Sequence, residues 1–406
     1  MVKRTWQSFL SLNFGLLAGF FLAEVGARFF YPLPVELKNS ETIKVGLPPA
    51  YIQYVDRMPW SHSVTRYEVA GEYTTVVSIN SQGLRGPDIP YEKPAGEFRI
   101  LYIGDSFVKA IQVDFEDTVY QQLETLLRAT PGQYEVIGAG EAGWGTDQAY
   151  MYYLHEGYHY QPDLVIYQFV PNDVTNNVRE LFPRAEGLRQ HFTLEDGKLV
   201  GRNLDINQSQ SYLYAIALHR HLLVNLRLYA LIGDLWPGRG ASFLAQPVYN
   251  QIGEAAPASK TAKPSPQLLI YQEPYEDNYN TAWDLTEAIL SEWSQRVRQD
   301  GALLAVVSVP GNWAIYEEDW QEIPERFPSI AAEFAGWNRD KPDEYLGSLT
   351  QRLDIPYLSL TSTFRTYAAE NEQHLYVPND GHWTEAGHAL AAQTTFEWLA
   401  EQNLLP

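Results

Sequence analysis

Cysteine is absent from the chain. That excludes disulfides, thiol nucleophiles and thiolate metal sites, and it leaves the compartment open, because exported proteins need not carry disulfides. Basic residues are scarce: 29 Lys and Arg stand against 50 Asp and Glu, for a formal charge of -21. A surface of that sign repels nucleic-acid backbones and anionic lipid, so no nucleic-acid partner is expected. Charged residues make up only 19% against 45% hydrophobic, which excludes disorder along most of the chain. The G-x-S-x-G elbow is also missing, which argues against the other large fold of serine hydrolases.

One long uncharged run is present. Trp6 to Ala23 carries no charged residue and follows Lys3 and Arg4, which is about one bilayer crossing with basic residues on its cytoplasmic side. Residues 1–5 then read as a cytoplasmic tail and 6–23 as a transmembrane signal anchor, with the remaining chain membrane-anchored on the periplasmic or extracellular side. A cleaved signal peptide is the alternative, with Val25-Gly26-Ala27 as the cleavage site. Glu24 and the bulky Phe29-Phe30-Tyr31 fit such a site poorly and favour the anchor. Residues 24–97 read as a tether and irregular lead-in, in which Thr74 to Asn80 is β-like and Ser81-Gln82-Gly83 and Gly86-Pro87 mark turns.

From Arg99 onward, short apolar runs alternate with helical stretches, the pattern of a parallel sheet covered by helices. Strands are expected at Ile100 to Ile103, Tyr134 to Ile137, Leu164 to Phe169, Leu303 to Val309 and Tyr357 to Leu360. Helices are expected at Thr118 to Arg128, Asp147 to Leu154, Ala282 to Asp300 and Ala386 to Gln402. The fold class is therefore α/β, a three-layer α/β/α sandwich with a parallel, flavodoxin-like sheet of about five strands. Strands three and four stand too far apart for one crossover, so a large insertion is expected at about 180–275. Within it, Leu213 to Trp236 reads as helical and Gly253 to Gln267 as a loop.

In such sheets, functional residues collect past the carboxyl ends of the strands, and four segments there carry chemistry. The first strand runs into Gly104-Asp105-Ser106, a hydroxyl at a strand-to-helix turn where a helix N-terminus can stabilise negative charge. The tripeptide alone is equally an N-cap. After the second strand, Gly138 to Thr146 is glycine-rich, and the Gly143 amide suits an oxyanion donor. The third ends in Val170-Pro171-Asn172-Asp173, where the Asn172 amide can donate a second hydrogen bond, although Asn-Asp is also ordinary turn chemistry. Near the C-terminus, Asn379-Asp380-Gly381-His382-Trp383 puts an acid and an imidazole two residues apart, so the carboxylate can orient the ring while the other ring nitrogen takes a serine proton. His155-Glu156-Gly157-Tyr158-His159 matches the zinc-protease pattern H-E-x-x-H, but Gly157 and Pro162 end the continuous helix that pattern needs, and no metal site is expected.

Together the four segments resemble the SGNH/GDSL hydrolase superfamily, whose members carry Ser, Gly, Asn and His in ordered blocks; the resemblance covers about residues 98–406, the span of the expected catalytic domain. It implies that Ser106 is the nucleophile, that Gly143 and Asn172 with the Ser106 amide form the oxyanion hole, and that His382 is the base supported by Asp380. No metal or organic cofactor is implied. Gly138 stands where many members have Asn, Val170 replaces the usual Gly of the third block, and Asn379, not the acid, is three residues before His382. The Asp-x-His-Trp arrangement with a membrane-proximal N-terminus is similar to alginate-type exopolysaccharide O-acetyltransferases. The expected function is a serine-dependent ester hydrolase acting on a small acyl ester, with an acylated small molecule or O-acetylated glycan as substrate. The alternatives are an O-acetyltransferase for a cell-surface polysaccharide, served by a membrane acyl-donor protein, and a non-catalytic glycan-binding or assembly protein.

Overall fold

The chain enters its first described hairpin through β1 (Val64–Val69) and β2 (Tyr73–Ser78), paired antiparallel, within the stretch read as lead-in. This computed structural model describes residues 15, 18–28, 64–178, 181, 191–202, 226, 228 and 264–406. Next come β3 (Glu97–Gly104), β4 (Gln133–Gly140), β5 (Leu164–Phe169), a second hairpin of β6 (His191–Glu195) and β7 (Lys198–Arg202), then β8 (Leu303–Ser308) and β9 (Tyr357–Ser359). Five of these form one parallel sheet in the order β4-β3-β5-β8-β9. By order of appearance that is 2-1-3-4-5, the flavodoxin-like order, whose strand direction of growth switches between the first and third strands. The ligand crevice of such a sheet lies beyond the carboxyl ends of β3 and β5.

The core strands are apolar on both faces because helices cover both, as parallel sheets require. The connecting helices are α1 (Ser106–Lys109), α2 (Val119–Arg128), α3 (Thr146–His155), α4 (Asn172–Asn176), α5 (Asp277–Gln299), α6 (Lys341–Arg352), α7 (Thr361–Glu370) and α8 (Glu385–Glu401). Alternation sorts the side chains: Leu101, Ile103, Ile137, Val165, Tyr167 and Val306 point to one core, filled by α3 and α5 through Tyr153, Ile289 and Trp293. Ile100, Tyr102, Val136, Ile166 and Val307 point to the other, filled by α2 and α8 through Leu123, Leu127, Ala391 and Leu399. The three-layer sandwich expected from the sequence is present.

Differences from the expected boundaries have local causes. β3 begins at Glu97 instead of Ile100, because the buried Arg99 finds partners in Glu135, 2.5 Å from its Nε, and in the carbonyl of Tyr160, 2.7 Å from its Nη1. A charged residue thus joins the strand that hydropathy alone starts later. The long connection from β5 to β8 carries the β6–β7 hairpin and then α5, whose Trp293 ring packs at a tilt on Tyr167 of the sheet, centroids 5.0 Å apart. Of the loop expected at Gly253 to Gln267, residues 264–267 are described, and a short helix, Pro266–Leu269, begins there. The helix expected over Leu213 to Trp236 lies outside the described residues apart from 226 and 228. Most of the 6–23 anchor also lies outside them; residues 18–28 are helical, and among the described residues no helix is long and apolar enough to cross a membrane.

Candidate active site

Ser106 opens α1 directly after β3, and Asp105 caps that helix by accepting the Phe107 amide at 3.0 Å. The turn is pressed onto the sheet. At Gly104 a side chain would meet Val108 at 2.6 Å, and at Gly140 of the neighbouring strand it would meet the Asp105 carbonyl oxygen at 2.7 Å and the Lys109 nitrogen at 2.9 Å. Two facing glycines, Gly104 and Gly140, are therefore what lets the serine turn sit so close to β4. Behind the helix, buried Arg85 donates to the carbonyls of Ala110 and of Val113, the latter at 2.7 Å, holding its C-terminal end.

His382 approaches Ser106 from the far end of the chain. The segment before it closes a tight turn in which the Gly381 amide donates to the Val377 carbonyl at 2.8 Å, with Gly381 at φ +80, a conformation glycine adopts without strain. The turn points Asp380 and His382 the same way. His382 Nε2 lies 2.7 Å from Ser106 Oγ, and His382 Nδ1 lies 2.5 Å from Asp380 Oδ1. With Nδ1 carrying its proton toward the carboxylate, Nε2 is free to accept from the serine hydroxyl. Phe107 packs under the imidazole, with ring centroids 4.8 Å apart.

Asp380 is held from three sides. Its Oδ1 also accepts from Gln112 Nε2 at 3.0 Å and from the His382 amide at 3.2 Å, and its Oδ2 accepts from the Tyr73 hydroxyl at 3.3 Å. Burial alone would raise this carboxyl; the His382 hydrogen bond and charge and the Gln112 amide outweigh it, so Asp380 lies below the usual carboxylate value. Asn379 points elsewhere, its amide nitrogens donating to Glu72 at 3.0 and 2.5 Å.

Gly143 lies in the loop between β4 and α3 at φ +71. Its carbonyl and that of Trp144 accept from Asn176 Nδ2 at 3.5 and 3.2 Å, which ties the loop to α4, the helix that Asn172 opens. The other glycines of that stretch serve packing: at Gly138 a side chain would strike the Tyr120 ring at 2.5 Å, and at Gly145 it would strike Asn177 at 2.6 Å.

Asn172 Nδ2 lies 3.3 Å from Asp105 Oδ2. Asp173 faces inward, accepting the Tyr167 hydroxyl at 2.6 Å and the Val170 amide at 3.0 Å, and so fixes the turn from which Asn172 projects. Burial raises Asp105 above the usual carboxylate value, against the lowering effect of the Phe107 amide and the His382 charge. Burial, with Asp105 adding to it, puts Asp173 well above.

All the site residues expected from the sequence lie at this carboxyl edge, and Ser106, His382 and Asp380 form one hydrogen-bonded chain. Tyr73, Gln112 and Arg85 are not among those expected residues, whereas Asp105 takes the N-cap part that the tripeptide also offers. The H-E-x-x-H residues lie elsewhere: α3 ends at His155, and Glu156 accepts the hydroxyls of Tyr91 at 2.6 Å and Tyr160 at 3.1 Å.

No family model and no curated protein matches the chain. Solved structures similar to it include TesA, at 10% identity and TM-score 0.37, covering 75% of this chain and 98% of that one. The acetyl xylan esterase AlAXEase matches at 11% identity and TM-score 0.37, with 74% and 98% covered. A variant of Axe2, an acetyl-xylooligosaccharide esterase from Geobacillus, matches at 11% identity and TM-score 0.39, with 74% and 94% covered. At these values the likeness adds no argument to the fold and site described above.

Proposed function

We propose that the chain is a serine-dependent acyl-transfer enzyme of the SGNH type, working as a carboxylic ester hydrolase. The observation that carries the reading is the continuous chain from Ser106 Oγ through the His382 ring to Asp380, with links of 2.7 and 2.5 Å. As the Ser106 oxygen bonds to the ester carbonyl carbon, its proton passes to His382 Nε2, and Asp380 stabilises the resulting imidazolium. The negative charge on the former carbonyl oxygen falls to the amides of Ser106 and Gly143 and the side chain of Asn172. Collapse breaks the carbon–oxygen bond of the alcohol, which leaves with the proton from His382, and Ser106 keeps the acyl group. Water, deprotonated in turn by His382, releases the acid and restores the serine.

An O-acetylated glycan is the substrate class we favour, with residues 6–23 holding the enzyme at a membrane and its site on the outer side. In the full chain, cleavage of a chromogenic acetyl ester should fall by roughly 10³-fold or more in Ser106→Ala. Assays with and without a saccharide acceptor read out where the acyl group goes: acetylated saccharide would move the reading from hydrolase to O-acetyltransferase. Equal turnover by wild type and Ser106→Ala would remove the serine from the chemistry and favour a glycan-binding protein.

A further inference from the structure

The hairpin β1–β2 stands apart from the five-stranded sheet, yet its tip reaches the loop of the acid–base pair. Tyr73 donates to Asp380 Oδ2 at 3.3 Å, neighbouring Glu72 accepts the Asn379 amide at 3.0 Å, and Thr75 Oγ1 donates to the Ile111 carbonyl at 2.5 Å, next to Gln112. The hairpin thus touches both segments that supply groups to Asp380. We propose that Tyr73 is a positioning residue of the acid–base pair: its hydroxyl on Oδ2 fixes the rotation of the Asp380 carboxylate and sets how strongly that carboxylate draws on the His382 ring. This rests on the acyl-transfer reading of Ser106, His382 and Asp380.

A carboxylate with donors on one oxygen can turn about its last bond, and any turn lengthens its contact with the imidazole. Donors on both oxygens, Gln112 on Oδ1 and Tyr73 on Oδ2, stop that rotation. Burial and the adjoining Asp380 charge raise the Tyr73 phenol to about 12, so it remains a donor wherever the enzyme would work. The charged and titratable groups around the pair are Glu72 and Tyr67 beside Tyr73, and Asp105 and His388, which feel the His382 charge. None of them is altered by Tyr73→Phe, so the variant isolates the hydroxyl.

Without that hydroxyl the Asp380 carboxylate turns, its contact with His382 Nδ1 lengthens, and the imidazolium is held less strongly. In the full chain, Tyr73→Phe should lower kcat about fivefold to tenfold with KM steady, the worth of one such hydrogen bond. It should also move the acid limb of the pH–rate profile down by about half a pH unit. Val77→Ala, which removes buried apolar volume from the same hairpin but no hydrogen bond to the segments around Asp380, controls for loosening and should leave the limb in place. The His382 imidazole titration, followed by NMR on histidine-labelled protein and identified by its loss in His382→Gln, should shift the same way without any need for turnover. A limb and a titration that stay put, rise, or move equally in Val77→Ala would overturn the positioning role. Turnover surviving in Ser106→Ala would sink the acyl-transfer reading instead, and the NMR titration would still decide the link from Tyr73 to His382.

Discussion

Single residues near this site differ in how far their surroundings move their titration, and His388 ties stability to pH. It is fully buried beside Trp383, its Nδ1 accepting the Val119 amide at 3.2 Å. Burial, with the positive charges of Arg85 and His382, pushes it down to about 3. In the unfolded chain the same imidazole binds its proton near ~6.5. The folded value is depressed, so the stability from the neutral ring is present above ~6.5 and drains away as pH falls toward 3, by about 1.4 kcal/mol per pH unit. His388→Gln, whose side-chain oxygen can still accept the Val119 amide, should flatten the dependence of the denaturation midpoint on pH by one proton across that window. A slope equal to wild type would show that His388 carries its proton when folded. The sequence pointed to Ser106 and Asn172 because each follows a strand end, and to Asp380 and His382 because an acid and an imidazole share one short motif before the last helix. It could not reveal Tyr73, because that residue meets Asp380 only through tertiary folding, across 307 residues of chain.

At the scale of an element, the glycine-rich stretch after β4 was legible as a place where backbone comes close, but not as to what it comes close to. Only Gly143 among its described glycines needs a left-handed backbone. Gly140 makes room for the serine turn, and a methyl group there would lie 2.7 Å from the Asp105 carbonyl oxygen and 2.7 Å from Val108 Cβ. Backbone gives way less easily than a flexible side chain. Gly140→Ala should therefore cost about 1–3 kcal/mol in urea denaturation and also lower kcat of the folded fraction, because Ser106 moves off His382 Nε2. Loss of stability with kcat unchanged would show that the turn can back away without displacing the serine.

Across the whole molecule, the sheet was readable because buried parallel strands are near-continuous apolar runs, as β5 is in Leu164–Phe169, buried along its length. The hairpin β1–β2 was less readable: eight of its twelve positions are polar or exposed, and its antiparallel pairing depends on a turn at Gly71 in a stretch otherwise rich in irregular signals. That hairpin, far from the rest of the site in sequence, completes the support of Asp380. In the proposed function this assembly makes Ser106 a nucleophile that carries an acyl group. The most direct test of that role is acid quenching of the full chain during turnover of an activated acetyl ester, followed by peptide mass spectrometry. The account predicts one acetyl group on the peptide containing Ser106, accumulating in wild type and absent from both Ser106→Ala and His382→Gln. Ester cleavage with no acetyl on Ser106, or the same label in His382→Gln as in wild type, would contradict it.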